Sequence, residues 1–218
     1  MSFRRPASFD RLAQNYRALE FLAFGGALER ARFRYLERLR QCRRILVLGE
    51  GDGRSLARLV QLAPEAHIHC LDLSAGMLAR AAARLQGTPA ADRVTFEQAD
   101  ILAGGPLPAG CDAVTTFFFL DCFTAEQAEG VVSRVQAALA PEAFWLFADF
   151  VLPPRGLARL RGRAWLAVLY AFFRWQTGLP ARALPPSEAL IECAGFAAEA
   201  SEDFQNGLVR TTVFRRKA

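Results

Sequence analysis

The sequence predicts an α/β fold built on a doubly wound, mostly parallel sheet, and three observations carry that expectation. Short apolar runs alternate with helical stretches, the first run stops at a glycine-rich turn, and acids stand at the carboxyl ends of the next two runs. Parallel strands joined by helices of this length need right-handed crossovers, which place helices on both faces of the sheet.

Ahead of the sheet, residues Phe9 to Gln41 set apolar side chains at helical spacing. Leu12, Tyr16 and Leu19 precede Gly25-Gly26, and Phe33, Leu36 and Leu39 follow, so two helices are expected. Arg43-Arg44 then lead into ILVL (45–48), a buried parallel strand ending in the turn GEGDG (49–53), and helical spacing resumes from Ser55 to Leu62. HIHCLDL (67–73) is the second strand, with Ser74 as N-cap of a helix through Leu85. VTFEQADI (94–101) is the third strand. After the loop AGGPLPAG, DAVTTFFFL (112–120) is the fourth, and Thr124 caps a helix from Ala125 to about Leu139. AFWLFADF (143–150) is the fifth. Past Pro153-Pro154 comes an aromatic-rich helix from Leu157 to Trp175, and Pro185-Pro186 opens another. The tail pairs FAAEASEDF with LVRTTVFRR around Asn206-Gly207, the strongest short hairpin signal, which makes seven strands with an antiparallel end.

Composition narrows the classes. A chain of 218 residues fits one α/β domain, and 52% hydrophobic against 22% charged residues excludes a disordered chain. The net charge of +5 is weak evidence for nucleic acid, because every basic residue except Lys217 is arginine, a bias that a GC-rich coding sequence produces; no nucleic-acid partner is expected. Five cysteines without a CxxC pair argue against a disulfide framework or a zinc site, so no metal is expected and a reduced, cytoplasmic setting is. No apolar run of signal-peptide length opens the chain. The longest nonpolar run, Ala164 to Phe173, is about half of what a bilayer span requires.

The chemistry concentrates at strand ends. Gly49, Gly51 and Gly53 let a ligand approach main-chain N–H groups where a helix begins. Asp72 ends the second strand, where a carboxylate can accept bonds from both hydroxyls of a ribose, and Asp100 ends the third. Ligand-type residues at three consecutive strand ends lie along one crevice, which points to an adenosine-containing ligand. His67 and His69 enter the second strand at the opposite end and read as surface residues.

These motifs resemble the class I S-adenosylmethionine (SAM)-dependent methyltransferases, over about residues 9 to 150. GEGDG is similar to the family's GxGxG loop, Asp72 to its ribose-binding acid, and Ala99-Asp100-Ile101 to its adenine-edge motif. Met77 is similar to a residue packed on the adenine, and FDRLAQNY to the N-terminal segment of small-molecule and quinone-type members, with Tyr16 closing over the methionine part. The resemblance implies a Rossmann-like fold, S-adenosyl-L-methionine as cofactor with S-adenosyl-L-homocysteine as product, and a cofactor set completed by Leu73 and Phe117. It also implies one domain, 1–218: helices covering the site (1–42), a cofactor-binding core (43–150), an aromatic helical insertion (151–185), and a helix with hairpin (186–218).

One departure bears on the cofactor. The family has an acid two positions before the first glycine, where this chain has Val47, and Glu50 or Asp52 is expected to supply that charge to the methionine ammonium. Methyl transfer from a sulfonium needs orientation more than a base, and the polar candidates at the ends of strands four and five are Thr116, Asp121 and Asp149. Phe118, Trp165 and Tyr170 are candidates for a small, apolar or amphipathic acceptor. The helix over 155–179 fits three roles: an acceptor lid, a dimer or core-packing helix in a monomer or homodimer, and a peripheral membrane contact.

Other classes fit less well. A nicotinamide dehydrogenase wants GxGxxG, and Arg54 occupies the last glycine's place. An aminopropyltransferase needs an acidic amine site after strand four, where TTFFFLD has one acid. The most serious rival is a SAM-fold protein that binds nucleotide or a partner without turnover, which the missing acid at Val47 keeps open.

Overall fold

The computed structural model describes residues 26–153, 155–177, 181 and 183–217. In chain order its elements are α1 (Ala27–Phe33), β1 (Arg44–Leu48), α2 (Arg54–Leu62), β2 (His67–Asp72), α3 (Ala75–Leu85), β3 (Val94–Gln98), β4 (Cys111–Phe117), α4 (Ala125–Ala138), β5 (Leu139–Phe150), α5 (Gly156–Thr177), α6 (Ser187–Cys193), β6 (Phe196–Phe204) and β7 (Val209–Arg216). The seven strands form one sheet in the order β3-β2-β1-β4-β5-β7-β6. The β1–β2, β1–β4, β2–β3 and β4–β5 pairings are parallel, while β7 runs antiparallel to both β5 and β6.

Alternation along β1 explains why both faces need helices. Ile45 and Val47 join one core with Leu56 and Leu59 of α2, whereas Leu46 and Leu48 join the other with Val131 and Val135 of α4. Trp145 and Phe196 meet edge to face at 5.5 Å in that second core. Caps start the helices where the sequence places them. Ser74 accepts the Met77 N–H, and Thr124 forms a capping box with Gln127.

Several element ends differ from the sequence reading, among them the start of β5, at Leu139 instead of Ala143. The second N-terminal helix stops at Phe33, and a 3-10 turn over Leu36–Leu39 replaces its continuation. β3 ends at Gln98 because the Asp100 carboxylate caps a 3-10 turn over Ile101–Ala103 by accepting the Leu102 N–H at 2.9 Å. β4 ends at Phe117 because Phe118 takes a φ of +53°, which turns the chain out of the sheet. The C-terminal hairpin forms as read, with Asn206 at a φ of +55° inside its turn. β1 stands where the connection order reverses, between β2 and β4, and an open α/β sheet has its crevice there.

Candidate active site

The glycine turn is built by three different constraints. A side chain at Gly49 would strike the Phe119 ring, with its Cβ 2.3 Å from Cδ2, and one at Gly53 would lie 2.5 Å from the Ala81 Cα of α3. Those two glycines serve packing. Around Gly51, which has a φ of +71°, a Cβ would meet nothing within 4 Å, so this part of the loop faces open space. The Gly51 amide donates to Asp72 Oδ2 at 3.4 Å, while Asp72 Oδ1 accepts from Ser74 N at 2.9 Å. The ends of β1 and β2 are thus tied by the carboxylate expected to hold ribose.

The two acids of the turn have separate fates. Burial works to raise the Asp52 carboxyl, but Arg54 Nε at 3.1 Å and Arg84 Nη2 at 2.9 Å outweigh it and hold Asp52 below the usual range. Asp52 thus clamps the turn to α2 and α3 through two arginines, which leaves Glu50 as the acid of the turn without such ion pairs among the described residues. Glu50 accepts the Leu56 N–H at 2.7 Å at the start of α2, and burial pushes its carboxyl up to about 7 despite that bond and the nearby charge of Arg32.

On the β2 and β3 side, Met77 is buried, Leu73 is 39% exposed and Ile101 sits in the second core. Asp100 stands partly buried at the head of its 3-10 turn. Tyr16 lies outside the described residues.

A second group gathers at the ends of β4 and β5. The Asp121 amide donates to Asp149 Oδ2 at 3.1 Å, and Phe150 N donates to Asp149 Oδ1 at 2.8 Å. Tyr170 reaches in from α5 and donates its hydroxyl to the Asp121 carbonyl at 3.1 Å. The Cys122 thiol donates to Asp121 Oδ1 at 3.6 Å. Burial raises Asp121, and burial together with the charge of Asp121 raises Asp149 well above the carboxylate range, so the pair retains a proton where isolated carboxyls would have lost theirs. Burial also raises the Cys122 thiol, and the charges of Asp121, Asp149 and Asp72 all add to the effect. The two strand-end groups therefore share one electrostatic neighbourhood.

Thr116 does not belong to it. Its hydroxyl is fully buried in the sheet and accepts the Trp145 indole N–H at 2.8 Å, so the expectation of a catalytic role is corrected to a core hydrogen bond. Phe117 is likewise a core residue, 6% exposed. Phe118 turns out of β4 to meet Phe150 at 5.2 Å, and the Arg32 guanidinium lies 4.9 Å from its ring centre. Trp165 is 46% exposed: Leu166 and Tyr170, four apart, take the inward face of α5, and Trp165 is turned about 100° from Leu166.

Arg32 is the residue that sequence reasoning missed. It stands among Arg30 and Arg34 with nothing to single it out, yet its charge reaches both Glu50 and Asp121. Among the described residues, no group of three or more His, Cys, Asp or Glu could hold a metal ion, and no helix is long and apolar enough to cross a membrane.

The donor set fits SAM. Its two positive charges, ammonium and sulfonium, suit a region where burial raises the carboxyls of Glu50, Asp121 and Asp149, and the open side of Gly51 adjoins Asp72. Residues 45–142 match the family model described as a methyltransferase domain. That segment is thus similar to a methyltransferase domain, and the seven-stranded sheet is of the Rossmann-like kind that its solved neighbours share. Among curated proteins, it is 48% identical over 65 residues to a trans-aconitate 2-methyltransferase of Methylobacterium nodulans, covering 30% of this chain and 23% of that one. Among solved structures, the mitomycin 7-O-methyltransferase MmcR superposes with a TM-score of 0.67 at 21% identity, over 96% of this chain and 60% of the other. An O-methyltransferase family protein from Burkholderia thailandensis gives 0.69 at 16% identity, over 97% and 59%. The chain thus spans about three fifths of these solved relatives and under a quarter of that curated one.

Proposed function

We propose that this chain binds SAM and directs in-line transfer of its methyl group to an oxygen of a small, apolar or amphipathic acceptor. The observation that carries the reading is the Gly51–Asp72 junction, where an open backbone loop and a strand-end carboxylate converge at the switch point of the sheet. When bound, SAM supplies the activated methyl group. In this reading Asp72 and the Gly51 loop take the ribose, Met77, Leu73 and the Asp100 turn border the adenine, and Glu50 pairs with the ammonium.

The acceptor side is the Asp121–Asp149 group, with Phe118 and Tyr170 supplying apolar and aromatic surface. Asp121, raised to about 6 by burial, is poised near neutrality to take a hydroxyl proton, and Asp149 anchors its backbone. The choice of oxygen is favoured by the two solved neighbours, which are O-methyltransferases. The preference for a small acceptor rests on the aromatic helix. Incubation with methyl-labelled SAM and a panel of phenols, hydroxylated quinones, structured RNA and protein tests it. Label on small hydroxylated compounds is expected, and label confined to RNA or protein would overturn the acceptor assignment.

A further inference from the structure

α5 is apolar on two opposite faces. Gly162, Leu166 and Tyr170 are buried against the body of the protein. On the other side, the spacing of Leu157, Leu160, Ala164 and Val168 sets a stripe along the outside of the helix. Leu157 is 73% exposed, Leu160 63% and Val168 62%, and four of the five exposed large hydrophobic residues of the described chain belong to this helix. Stability does not require them there, since the inward face already joins the core. A contiguous exposed apolar stripe marks a surface that meets something.

Charge says what it meets. Arg155, Arg159, Arg161, Arg163, Arg174 and Arg182 stand between Val151 and Ser187 with no Asp or Glu among them, so this segment carries more than the whole net charge of +5 and the rest of the chain is slightly acidic. Arg161 and Arg163 are exposed and flank the stripe. Two copies meeting through this face would oppose arginine to arginine, which disfavours a self-complementary dimer. A folded nucleic acid would match the charge but leave the stripe in water. An apolar stripe edged by guanidinium groups, on a helix of 22 residues that is not apolar enough to cross a membrane, matches the interface of an anionic bilayer, where the stripe enters the acyl boundary and the arginines meet phosphate.

We propose that α5 docks the protein on an anionic lipid surface, with Leu157, Leu160 and Val168 inserted and Arg161 and Arg163 at the headgroups. This inference does not depend on the enzymatic reading. The test is flotation of the full chain with vesicles of phosphatidylcholine alone and of phosphatidylcholine mixed with phosphatidylglycerol, at low and high salt. Tryptophan quenching by acyl-brominated lipid, which needs no variant, accompanies it. Binding to the anionic vesicles, weakened by salt and quenched by the brominated chains, is expected. The double variant Leu160→Glu/Val168→Glu should abolish it, and each of Arg161→Gln and Arg163→Gln should weaken it about fivefold. Circular dichroism melts of all variants check that the fold is kept, and the arginine variants carry the test if the double variant fails to fold. Equal, salt-insensitive binding to neutral vesicles would overturn the proposal. So would no vesicle binding at all, including the case in which the chain dimerises and Leu160→Glu/Val168→Glu dissociates the dimer.

Discussion

The Asp121 amide donates to the Asp149 carboxylate at 3.1 Å, so the acid nearest the acceptor side is held by the backbone bond of a neighbour on the adjacent strand. The two carboxyls have different work. Asp149 is buried and accepts two amide donors, while Asp121 as a residue is only partly buried. Asp121→Asn is expected to lower kcat by about 100-fold while leaving SAM affinity within about twofold, as loss of a general base does. Asp149→Asn should leave the acidic limb of the pH–rate profile near 6, because burial raises Asp121 and the more strongly raised Asp149 is already neutral when Asp121 titrates. Steady-state kinetics across pH on both variants checks this, and an unchanged kcat in Asp121→Asn would remove the base from the scheme.

Glu50 makes SAM binding a proton-linked event. Burial moves its carboxyl from 4.5 to about 7, so the free protein holds a proton that the unfolded chain releases, and its contribution to stability declines as pH rises from 4.5 through 7. An ammonium partner favours the ionised carboxylate and reverses that preference. SAM affinity is therefore expected to rise by about tenfold per pH unit below about 7 and to level off above it. Glu50→Gln should flatten the curve. Calorimetry in buffers of different ionisation enthalpy reads the proton release directly.

The three glycines of the turn should separate in mutagenesis. Gly53→Ala places a methyl against the Ala81 backbone and is expected to cost about 2 kcal/mol, seen as a lower Tm. Gly51→Ala carries only the left-handed φ penalty of about 1 kcal/mol, yet its methyl projects into the open side of the loop and should weaken SAM binding more than it lowers Tm. Equal effects of the two substitutions on binding and stability would contradict the division.

Thr116→Val tests the correction at β4. It orphans the Trp145 indole N–H in the core, which costs about 1–3 kcal/mol, while turnover per folded molecule is expected to be unchanged. A lost kcat with an intact Tm would return Thr116 to the site.

Local signals made most of the fold legible. The apolar run into GEGDG, the caps Ser74 and Thr124, and Asn206-Gly207 each act within a few residues, and the elements follow them. At the site, Asp72 and Gly51 were visible because strand ends and glycine spacing are local too. Asp52 was ambiguous because its decisive partner, Arg84, is 32 residues away on α3. Arg32 was hidden because only the packing of α1 decides which of three arginines faces the crevice. Thr116 read as a strand-end polar group until the bond from Trp145 placed it in the core.

Titration calorimetry of SAM into the wild-type chain and Asp72→Ala, with melting curves of both, reaches the centre of this account. Saturable one-to-one binding to the wild type, weakened at least about tenfold in Asp72→Ala by loss of hydrogen bonds to a charged acceptor with little change in Tm, is the expected result. No detectable binding to the folded wild-type chain, or equal affinity in the variant, would contradict the assignment of the Gly51–Asp72 crevice to SAM.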